Sequence, residues 1–440
     1  MWNKQLLYRV RGNPLVCLPR NRRILALMAT LISNIKSLVN VREENRLLRG
    51  KELEELPCIA NAYLIVEGDV IADYGTMEAL QYKAEAFSDK YDAAARLVLP
   101  CWCDSHTHLV FAGSREGEFV DKLKGATYAD IAARGGGILN SARMVNEISE
   151  DELFRQSYAR LQEVIRMGTG AIEIKSGYGL SVHGEMKMLR VIKRLKEATV
   201  IPIKATFLGA HALPEAYKNN REAYIRLVIE EMLPVIRAEN LADFIDVFCE
   251  QGFFTPEETE RICRAGLSIG LKPKIHANQL HVYGGVQAGI RVGALSVDHL
   301  ESMDDAAISD LAGSTTMGTL LPGAAFFLRM QYPPARQLIE AGCALALASD
   351  YNPGSAPSGN MNFVLALSCI QMKLLPEEAI NAGTINGAFA MELQQEVGSI
   401  TRGKKANLII TKEVPSLNYL PYSFAHPQIE KVLTAGAWAF

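Results

Sequence analysis

The stretch "LVLPCWCDSHTHLVF", residues 97–111, runs from an apolar segment directly into four residues that can bind metals. Cys101 and Cys103 are separated by one residue, and so are His106 and His108. Side chains at positions i and i+2 of an extended strand point to the same side, so the two histidines can bind one ion together. Which of the four side chains do so depends on what the rest of the chain brings to the same place.

The composition is that of an ordinary globular chain with enough apolar material for a large core. The chain has 440 residues, of which 49% are hydrophobic and 22% charged, with a formal net charge of −3. No excess of positive charge points to nucleic acid, and no apolar run approaches the roughly 20 residues that span a bilayer. We therefore expect neither a nucleic-acid nor a membrane partner. The 8 cysteines show no repeated pairing pattern, which indicates free thiols and a cytoplasmic location.

The first 27 residues are basic, contain no acidic residue and lead into "ILALMATLI". This start superficially resembles a targeting segment, but its apolar part is short and has no clean small-residue cleavage site. Met28 offers an alternative start. We expect residues 1–27 to be a disordered extension or the product of an upstream start codon, with targeting as the alternative.

Apolar runs and helical patterns alternate through the middle of the chain. The runs lie near 97–104, 170–175, 203–209, 243–249, 272–276, 294–298, 315–321 and 344–349. Eight strands with helical crossovers predict an α/β fold of the (β/α)8 barrel type over residues 98–395. A doubly wound open sheet is the alternative, but no glycine fingerprint follows the first strand.

Both ends of the chain carry short strand-like segments. Residues 59–74 read as a hairpin with a turn at "EGD", and residues 398–411 and 431–440 are similarly strand-like. The pattern predicts a small β-sandwich domain assembled from residues 28–97 and 396–440.

In such a barrel the reactive groups lie at the carboxyl ends of the strands. Five of the 8 histidines fall at these ends. His276 and Asp350, from the fifth and eighth strands, can reach the ion held by His106 and His108. Three imidazoles and one carboxylate, with a position left for water, form a plausible catalytic zinc or iron site. Cys101 and Cys103 lie deeper on the strand and no second cysteine pair completes a thiolate site, so we expect them to pack in the core.

Longer stretches carry a resemblance to a known family. They are "DSHTHLVFAGSREGEF", "ATYADIAARGGGI", "EIKSGYGL", "TFLGAHALPEAY", "LADFIDVFCEQGFF", "KPKIHANQL", "VDHLE", "TLLPGAAFFLR" and "ASDYNPGS". From about Pro57 to its end the chain resembles the imidazolonepropionases of the amidohydrolase superfamily, enzymes of histidine breakdown. The resemblance implies hydrolysis of the cyclic amide of 4-imidazolone-5-propanoate to N-formimidoyl-L-glutamate. It also implies a homodimer, since related barrels often dimerise.

The resemblance assigns roles to individual residues. It implies one ion, Zn²⁺ or Fe, on His106, His108, His276 and Asp350, and catalytic roles for Asp350, His299 and Gln279. It implies that the substrate contacts are Arg115, Tyr178, His211, Gln279, Asn352, Gly354 and Ser355. His299 matches a histidine beside the water that attacks, where it would orient that water or stabilise an oxyanion; the alternative is a structural histidine bonded to Asp298 or Glu301.

Some of these residues have a plain structural alternative. Arg115 suits a substrate carboxylate because guanidinium binds it in a bidentate way, but a loop arginine is often only a solvated charge. The glycines of "ARGGGI", 133–138, could approach an anion or simply make a flexible loop. In some relatives that the resemblance brings in, a modified lysine at the end of the fourth strand bridges two metals. Here the lysine, Lys175, ends the second strand, which argues for one metal. We expect Lys175 to pair with Glu173 or Glu250.

Two other functions compete with this one. A ring deaminase of the same fold would need His-x-x-Glu after the fifth strand, whereas this chain has His276 followed by Gln279. A catalytically silent scaffold on this barrel would have no reason to retain four metal ligands and a substrate loop. The sequence does not choose between zinc and iron.

Overall fold

A computed structural model describes residues 29–82, 86–125 and 136–439. The extension expected at residues 1–27 and the first part of the 133–138 loop, up to Gly135, lie outside these ranges. The strands of the described residues are β1 Ala29–Val39, β2 Cys58–Glu67, β3 Val70–Thr76, β4 Asp89–Asp92, β5 Arg96–Pro100, β6 Trp102–Asp104, β7 Thr169–Lys175, β8 Ile203–Ala210, β9 Phe244–Cys249, β10 Lys272–Ala277, β11 Ser296–His299, β12 Met317–Leu320, β13 Leu345–Leu347, β14 Leu408–Glu413, β15 Ile429–Thr434 and β16 Ala437–Trp438.

The helices mostly occupy the connections between strands. The α-helices are Glu116–Leu123, Ile138–Glu147, Glu150–Arg166, Val182–Glu197, Arg221–Arg226, Leu233–Glu239, Pro256–Ser268, Gly285–Arg291, Asp305–Ala312, Pro322–Leu328, Ala335–Glu340, Met361–Met372, Pro376–Gly383, Ile385–Ala390 and Tyr419–Tyr422. A π-helical turn, Leu227–Met232, joins two of them, and 3-10 turns lie at Gly50–Glu54, Met77–Ala79 and Glu215–Tyr217. None of the helices that the structure describes is both long and apolar enough to cross a membrane.

Strands β6 to β13 form one parallel sheet in sequence order, with helices in the crossovers. The predicted (β/α)8 barrel is confirmed, and each of the eight apolar runs overlaps one of its strands. The barrel closes just beyond the ends of β6 and β13. There the N–H of Asp350 donates to the carbonyl of His106 at 3.0 Å, and the N–H of His108 donates to the carbonyl of Tyr351 at 2.9 Å. Closure therefore uses the segments that carry the predicted metal ligands.

The two ends of the described chain build the second sheet, as expected. Its strand order is β16-β15-β14-β5-β1-β2-β3, with β4 paired to β1. All its strands are joined by hydrogen bonds in one mixed sheet around a shared apolar core that includes Ile35, Leu64, Val98 and Leu408. The hairpin expected at 59–74 is β2–β3, and Gly68 takes the left-handed conformation that its turn needs, with φ +60°.

Two strand predictions need correction in detail. The run 97–104 is not one strand, because the chain leaves the small sheet at Cys101, where its N–H donates to Asn407, and joins the barrel at Trp102, whose N–H donates to Gly168. Both parts are apolar because both are buried, so the sequence shows no boundary. In residues 398–411 only the last four belong to a strand, since a turn at Gly403, with φ +85°, interrupts the extended backbone.

Candidate active site

Four predicted ligand atoms converge at the carboxyl ends of the barrel strands. Nε2 of His106 and Nε2 of His108 each lie 3.6 Å from Oδ1 of Asp350, and Nε2 of His276 lies 3.3 Å from Nε2 of His108. Ligands at about 2.1 Å from one tetrahedral ion are separated by about 3.4 Å, so this spacing fits a single ion. All four side chains are buried.

The tautomers suit metal binding. Nδ1 of His106 lies 2.6 Å from Oδ2 of Asp298, and Nδ1 of His276 lies 2.9 Å from Oδ2 of Asp246. A carboxylate at Nδ1 favours a proton there and leaves Nε2 with its lone pair towards the ion. Burial, together with neighbouring positive and imidazole groups, holds the pKa of His106 well below its usual range. Nε2 of His106 is buried and has no hydrogen-bond partner among the described residues, as a metal-ligating nitrogen requires.

A buried network of charges lies beneath the ligands, inside the barrel. Lys175 Nζ contacts Oε1 of Glu173 at 2.5 Å and Oδ2 of Asp246 at 2.9 Å, and Lys274 pairs with the other oxygen of Glu173. Although burial opposes it, the carboxylates of Asp246, Glu173 and Asp298 raise the pKa of Lys175, so its ammonium stays charged. Three carboxylates outnumber two ammonium groups by one. The excess negative charge next to His106 and His276 fits a bound cation.

The predicted pairing of Lys175 with Glu173 is confirmed. The other expected partner, Glu250, is occupied elsewhere: it accepts hydrogen bonds from the N–H of Leu280 at 2.8 Å and lies 3.0 Å from Nδ1 of His281. Glu250 thus holds the loop after β10 that carries Gln279. Asn278 in this loop has φ +54°, a conformation that asparagine and aspartate tolerate better than other side chains.

Asp350 begins a tight turn that presents its carboxylate to the ligand cluster. Its φ is +54°, and Asn352 ties the turn together by donating to the carbonyl of Asp350 at 2.6 Å and accepting from the N–H groups of Gly354 and Ser355, both at 2.8 Å. The hydroxyl of Ser355 donates to Oδ2 of Asp350 at 3.3 Å. Burial raises the pKa of Asp350, against the opposing effect of His299 and His276. The amide of Asn352 is therefore largely taken up within the turn.

His299 stands next to the ligand cluster in a strained backbone conformation. Its φ is +89° and that of Leu300 is +67°. Nδ1 of His299 lies 3.3 Å from Oε1 of Glu301, which is the second of the two partners expected for a structural histidine. Burial would lower the pKa of His299, but the carboxylates of Glu301, Asp350 and Asp298 together raise it. A histidine that tends to carry a proton beside Asp350 can donate a hydrogen bond into the site.

A cavity of about 350 Å³ opens over this cluster. Every residue predicted for the site lines it except His106, which lies below its floor. Side chains that the sequence did not single out complete the described part of the wall; they are Lys122, Ile138, Phe248, Phe253, Leu280 and Leu328. Metal ligands and two cations, Arg115 and Lys122, therefore line one cavity.

Arg115 provides one of these cations. Its Nε donates to Oε2 of Glu118 at 2.8 Å, and its guanidinium packs against Gly354, where an added Cβ would lie 2.7 Å from Cζ. Oε1 of Glu118 accepts from the N–H of Gly137 at 3.1 Å, so the described end of the glycine loop is bonded to the partner of Arg115. Burial and the nearby charge of Arg115 lower the pKa of Lys122, the second cation in the cavity wall.

Tyr178 and His211 form an aromatic wall beside the ligands. The rings of His108 and His211 stack with centroids 5.2 Å apart, and the Tyr178 ring lies 5.4 Å from that of His211. Nδ1 of His211 is 3.0 Å from the carbonyl of Gly177, which places its proton on Nδ1. Burial lowers the pKa of His211 to about 3, with a further contribution from His276, so the ring is neutral.

The cysteines of the opening stretch take no part in this site. Cys101 and Cys103 are both buried, and burial raises the pKa of the Cys103 thiol to about 12. Cys103 packs with Ala171, Ala388 and Met391. The sequence also did not reveal the buried charges Asp246 and Lys274. Each interrupts an apolar run, which is a signal that marks the position but does not say whether the charge is buried or exposed.

Comparison with solved structures shows the same architecture in other proteins. The atrazine chlorohydrolase TrzN from Arthrobacter aurescens TC1, solved with zinc, superposes with a TM-score of 0.70 at 14% identity, covering 93% of this chain and 94% of the other. Guanine deaminase from E. coli gives a TM-score of 0.70 at 12% identity, covering 94% and 99%. At these identities the likeness concerns the fold alone.

Sequence comparison then gives the family. The model of the amidohydrolase family matches residues 97–438, so the barrel and its histidine cluster are those of a metal-dependent hydrolase, and the chain belongs to the amidohydrolase family. The imidazolonepropionase of Flavobacterium johnsoniae is 57% identical over 411 residues, covering 93% of this chain and 99% of the relative. That of Christiangramia forsetii is 54% identical with the same coverage. Within its family the chain groups with the imidazolonepropionases.

Proposed function

We propose that this protein hydrolyses the cyclic amide of 4-imidazolone-5-propanoate to N-formimidoyl-L-glutamate, a step of histidine degradation. The observation that carries the proposal is a cavity whose wall contains both the metal-ligand cluster and the cations Arg115 and Lys122. A ring amide with a carboxylate tail offers a carbonyl to the first group and a negative charge to the second. Relatives of the same length that bear the name imidazolonepropionase support the same substrate.

The site would hold one ion, Zn²⁺ or Fe, on His106, His108, His276 and Asp350. When bound, such an ion lowers the pKa of water from about 15.7 towards about 7 and polarises a carbonyl. Asp246 and Asp298 would keep the ligand imidazoles oriented through their Nδ1 atoms. Nitrogen and oxygen donors together suit either metal.

We assign proton transfer to Asp350. One oxygen lies among the ligand nitrogens, while the other accepts from Ser355. Its pKa is raised by burial, which makes it a better proton acceptor than an exposed carboxylate. It would take the proton of the attacking water and return it to the ring nitrogen that leaves.

His299 and Gln279 would act on the substrate without moving that proton. The raised pKa of His299 favours an N–H that can stabilise the oxyanion of the tetrahedral stage. Gln279 is an amide and cannot act as an acid or base, so its role is to hydrogen-bond and orient the ring. Its loop is held for that purpose by Glu250.

The remaining residues would bind the ring and its tail. Arg115 would take the propionate through the guanidinium edge that Glu118 leaves free, with Gly354 leaving room for it. Tyr178 and His211 would contact the ring, and the turn containing Asn352, Gly354 and Ser355 would close the opposite side.

The test is turnover and metal content measured on the same sample. Wild-type protein is mixed with 4-imidazolone-5-propanoate, and the loss of its ultraviolet absorbance is followed while the metal per chain is determined. We expect His276→Ala to lose both activity and metal, and the control His183→Ala, which replaces an exposed histidine that does not line the cavity, to keep both. No metal in the wild type, or decay at the same rate with His276→Ala, would contradict the proposal.

We also propose a cytoplasmic homodimer. Exposed apolar side chains on neighbouring helices, Ile370 and Tyr422 among them, offer a surface that a second copy can cover. Sedimentation velocity at micromolar concentration tests the dimer, and a single monomeric species would rule it out.

A further inference from the structure

A buried carboxylate outside the substrate cavity holds the loop that carries Tyr178. Glu185 lies in the first turn of the helix Val182–Glu197 and is fully buried. Oε1 accepts from the N–H groups of Gly179 at 2.7 Å and Leu180 at 2.9 Å, and Oε2 accepts from the N–H of Gly177 at 3.1 Å. The carboxylate thus binds three amides of the loop that leads from β7 into its own helix.

The geometry of this loop depends on these bonds. Gly177 has φ +106° and Leu180 has φ +49°, so the backbone turns through two left-handed positions within four residues. Such turns point successive N–H groups inward, where an anion can satisfy them. At Gly179 an added Cβ would collide with the backbone of Glu185, so the loop and the helix are in direct contact.

Two proposed substrate contacts rest on the same loop. Tyr178 lies between Gly177 and Gly179, whose N–H groups are both bound by Glu185, so its backbone is held on either side. The carbonyl of Gly177 accepts from Nδ1 of His211 and so fixes both the ring and its tautomer, with Nε2 left as an acceptor. Glu185 is the carboxylate that accepts from the backbone N–H groups of this loop in the described part of the chain.

We infer that Glu185 is the positioning residue that sets the aromatic wall of Tyr178 and His211 against the substrate ring. The inference rests on the proposed function, because it concerns how the substrate of that reaction is bound. Glu185 lines no part of the cavity and touches none of the proposed metal ligands. Its loss should therefore weaken the binding of the ring while the metal cluster stays intact.

The direct test replaces Glu185 by glutamine, which keeps the shape but turns one acceptor into a donor facing a backbone N–H. We expect the KM of Glu185→Gln to rise roughly tenfold or more, with a smaller change in kcat and unchanged metal content. Binding of imidazole propionate, a ligand without the scissile carbonyl, should weaken by a similar factor in calorimetry. Hydrogen exchange of the amides in residues 176–181 should become faster.

The matched control is Glu378→Gln. Glu378 is equally buried and accepts from the N–H of Leu375 at 2.6 Å, but its partner Arg336 and its helix lie away from the cavity. Glu378→Gln should lower Tm and leave KM unchanged. If Glu185→Gln likewise lowers Tm at constant KM, Glu185 is only structural and the inference is overturned.

Two more variants keep the test decisive. If Glu185→Gln does not fold, Glu185→Asp retains a carboxylate with a shorter reach and should show an intermediate KM; a wild-type KM there would count against positioning. In the background of Tyr178→Phe the effect of Glu185→Gln should shrink, since the two act on one contact. Lack of turnover by the wild type would refute the proposed function, whereas wild-type turnover with an unaltered KM in Glu185→Gln would refute only the role of Glu185.

Discussion

Replacing Lys175 by methionine removes the charge at the centre of the buried network and keeps most of the side-chain volume. In the native chain the ammonium lies 2.5 Å from Glu173, 2.9 Å from Asp246 and 3.8 Å from Asp298, all of them buried. Without it the carboxylates face one another in a low-dielectric interior. Breaking a buried pair by removing one partner costs about 3–5 kcal/mol.

This free energy translates into a shift in melting temperature. The entropy of unfolding is about 2.1 cal/mol/K per residue, which for a chain of this length is about 0.9 kcal/mol/K. We therefore expect the Tm of Lys175→Met to fall by about 3–6 °C at pH 7, measured by calorimetry with and without a chelator. Arg261→Met is the control, because its pair with Glu222 is exposed and should be worth no more than about 1 kcal/mol.

The pH dependence gives a sharper check. In Lys175→Met the carboxylates should have raised folded-state pKa values, and a raised carboxyl pKa removes stability only as the pH rises above the unfolded value near 4. The deficit of Lys175→Met should therefore be largest at neutral pH and shrink towards pH 4. Adding Glu173→Gln should restore part of the loss. A Tm within 1 °C of the wild type at pH 7, or a deficit that grows on acidification, would show that the network does not behave as an uncompensated set of buried charges.

Three further changes are expected to have separate effects. Asp246→Asn should weaken metal binding by about 10–100-fold in a chelator competition, because Nδ1 of His276 loses its carboxylate. The exposed Asp310→Asn should not weaken it. Equal affinities of the two variants would contradict the idea that Asp246 orients a ligand imidazole. Gly354→Ala should raise KM several-fold to about tenfold by displacing the guanidinium of Arg115, while Gly117→Ala, whose Cβ meets nothing within 4 Å, should leave KM as it is. Burial lowers the pKa of Lys404 to about 8, so between pH 8 and 10.5 the unfolded chain binds more protons than the folded chain. The free energy of unfolding should therefore rise over this range by up to about 3 kcal/mol. The rise should be absent from Lys404→Met, and parallel profiles of Tm against pH for the wild type and this variant would contradict it.

Much of the site could be predicted because strand ends in a barrel have a common direction. His106, His108, His276 and Asp350 are up to about 240 residues apart in sequence, yet each follows an apolar run that is recognisable by itself. Once eight such runs are counted, their ends must meet. The chemistry of the end residues then indicates which of them could share a metal, and all of the expected site residues except His106 line one cavity.

The supporting residues could not be found in this way. Glu185 acts on a loop that precedes it in sequence, and nothing in "SVHGEMKML" distinguishes it from a solvated helix residue. Asp246 and Lys274 interrupt apolar runs, and the sequence pattern does not say whether a charge in a strand is buried with a partner or exposed on an edge. Asn352 shows another limit of the sequence: its place beside Asp350 suggested substrate binding, but only the structure shows that its amide also ties its own turn together.

The change of sheet between Cys101 and Trp102 was missed for a different reason. Residues 97–104 are uniformly apolar because they pass from one buried sheet to another without reaching solvent. Hydrophobic patterning reports burial and is silent about which sheet a residue joins. Only the partners of the backbone N–H groups, Asn407 for Cys101 and Gly168 for Trp102, reveal the boundary.

The place where the barrel closes has a consequence for how the newly made chain forms the barrel. The first and last barrel strands meet through two backbone hydrogen bonds at His106 and His108, and these residues face Asp350 across the join. A chain that leaves the ribosome must complete the last strand before this join can form, so His106 and His108 cannot meet Asp350 until that strand has been synthesised. An ion held by these three residues would link the two sides of the join and so stabilise the closed barrel.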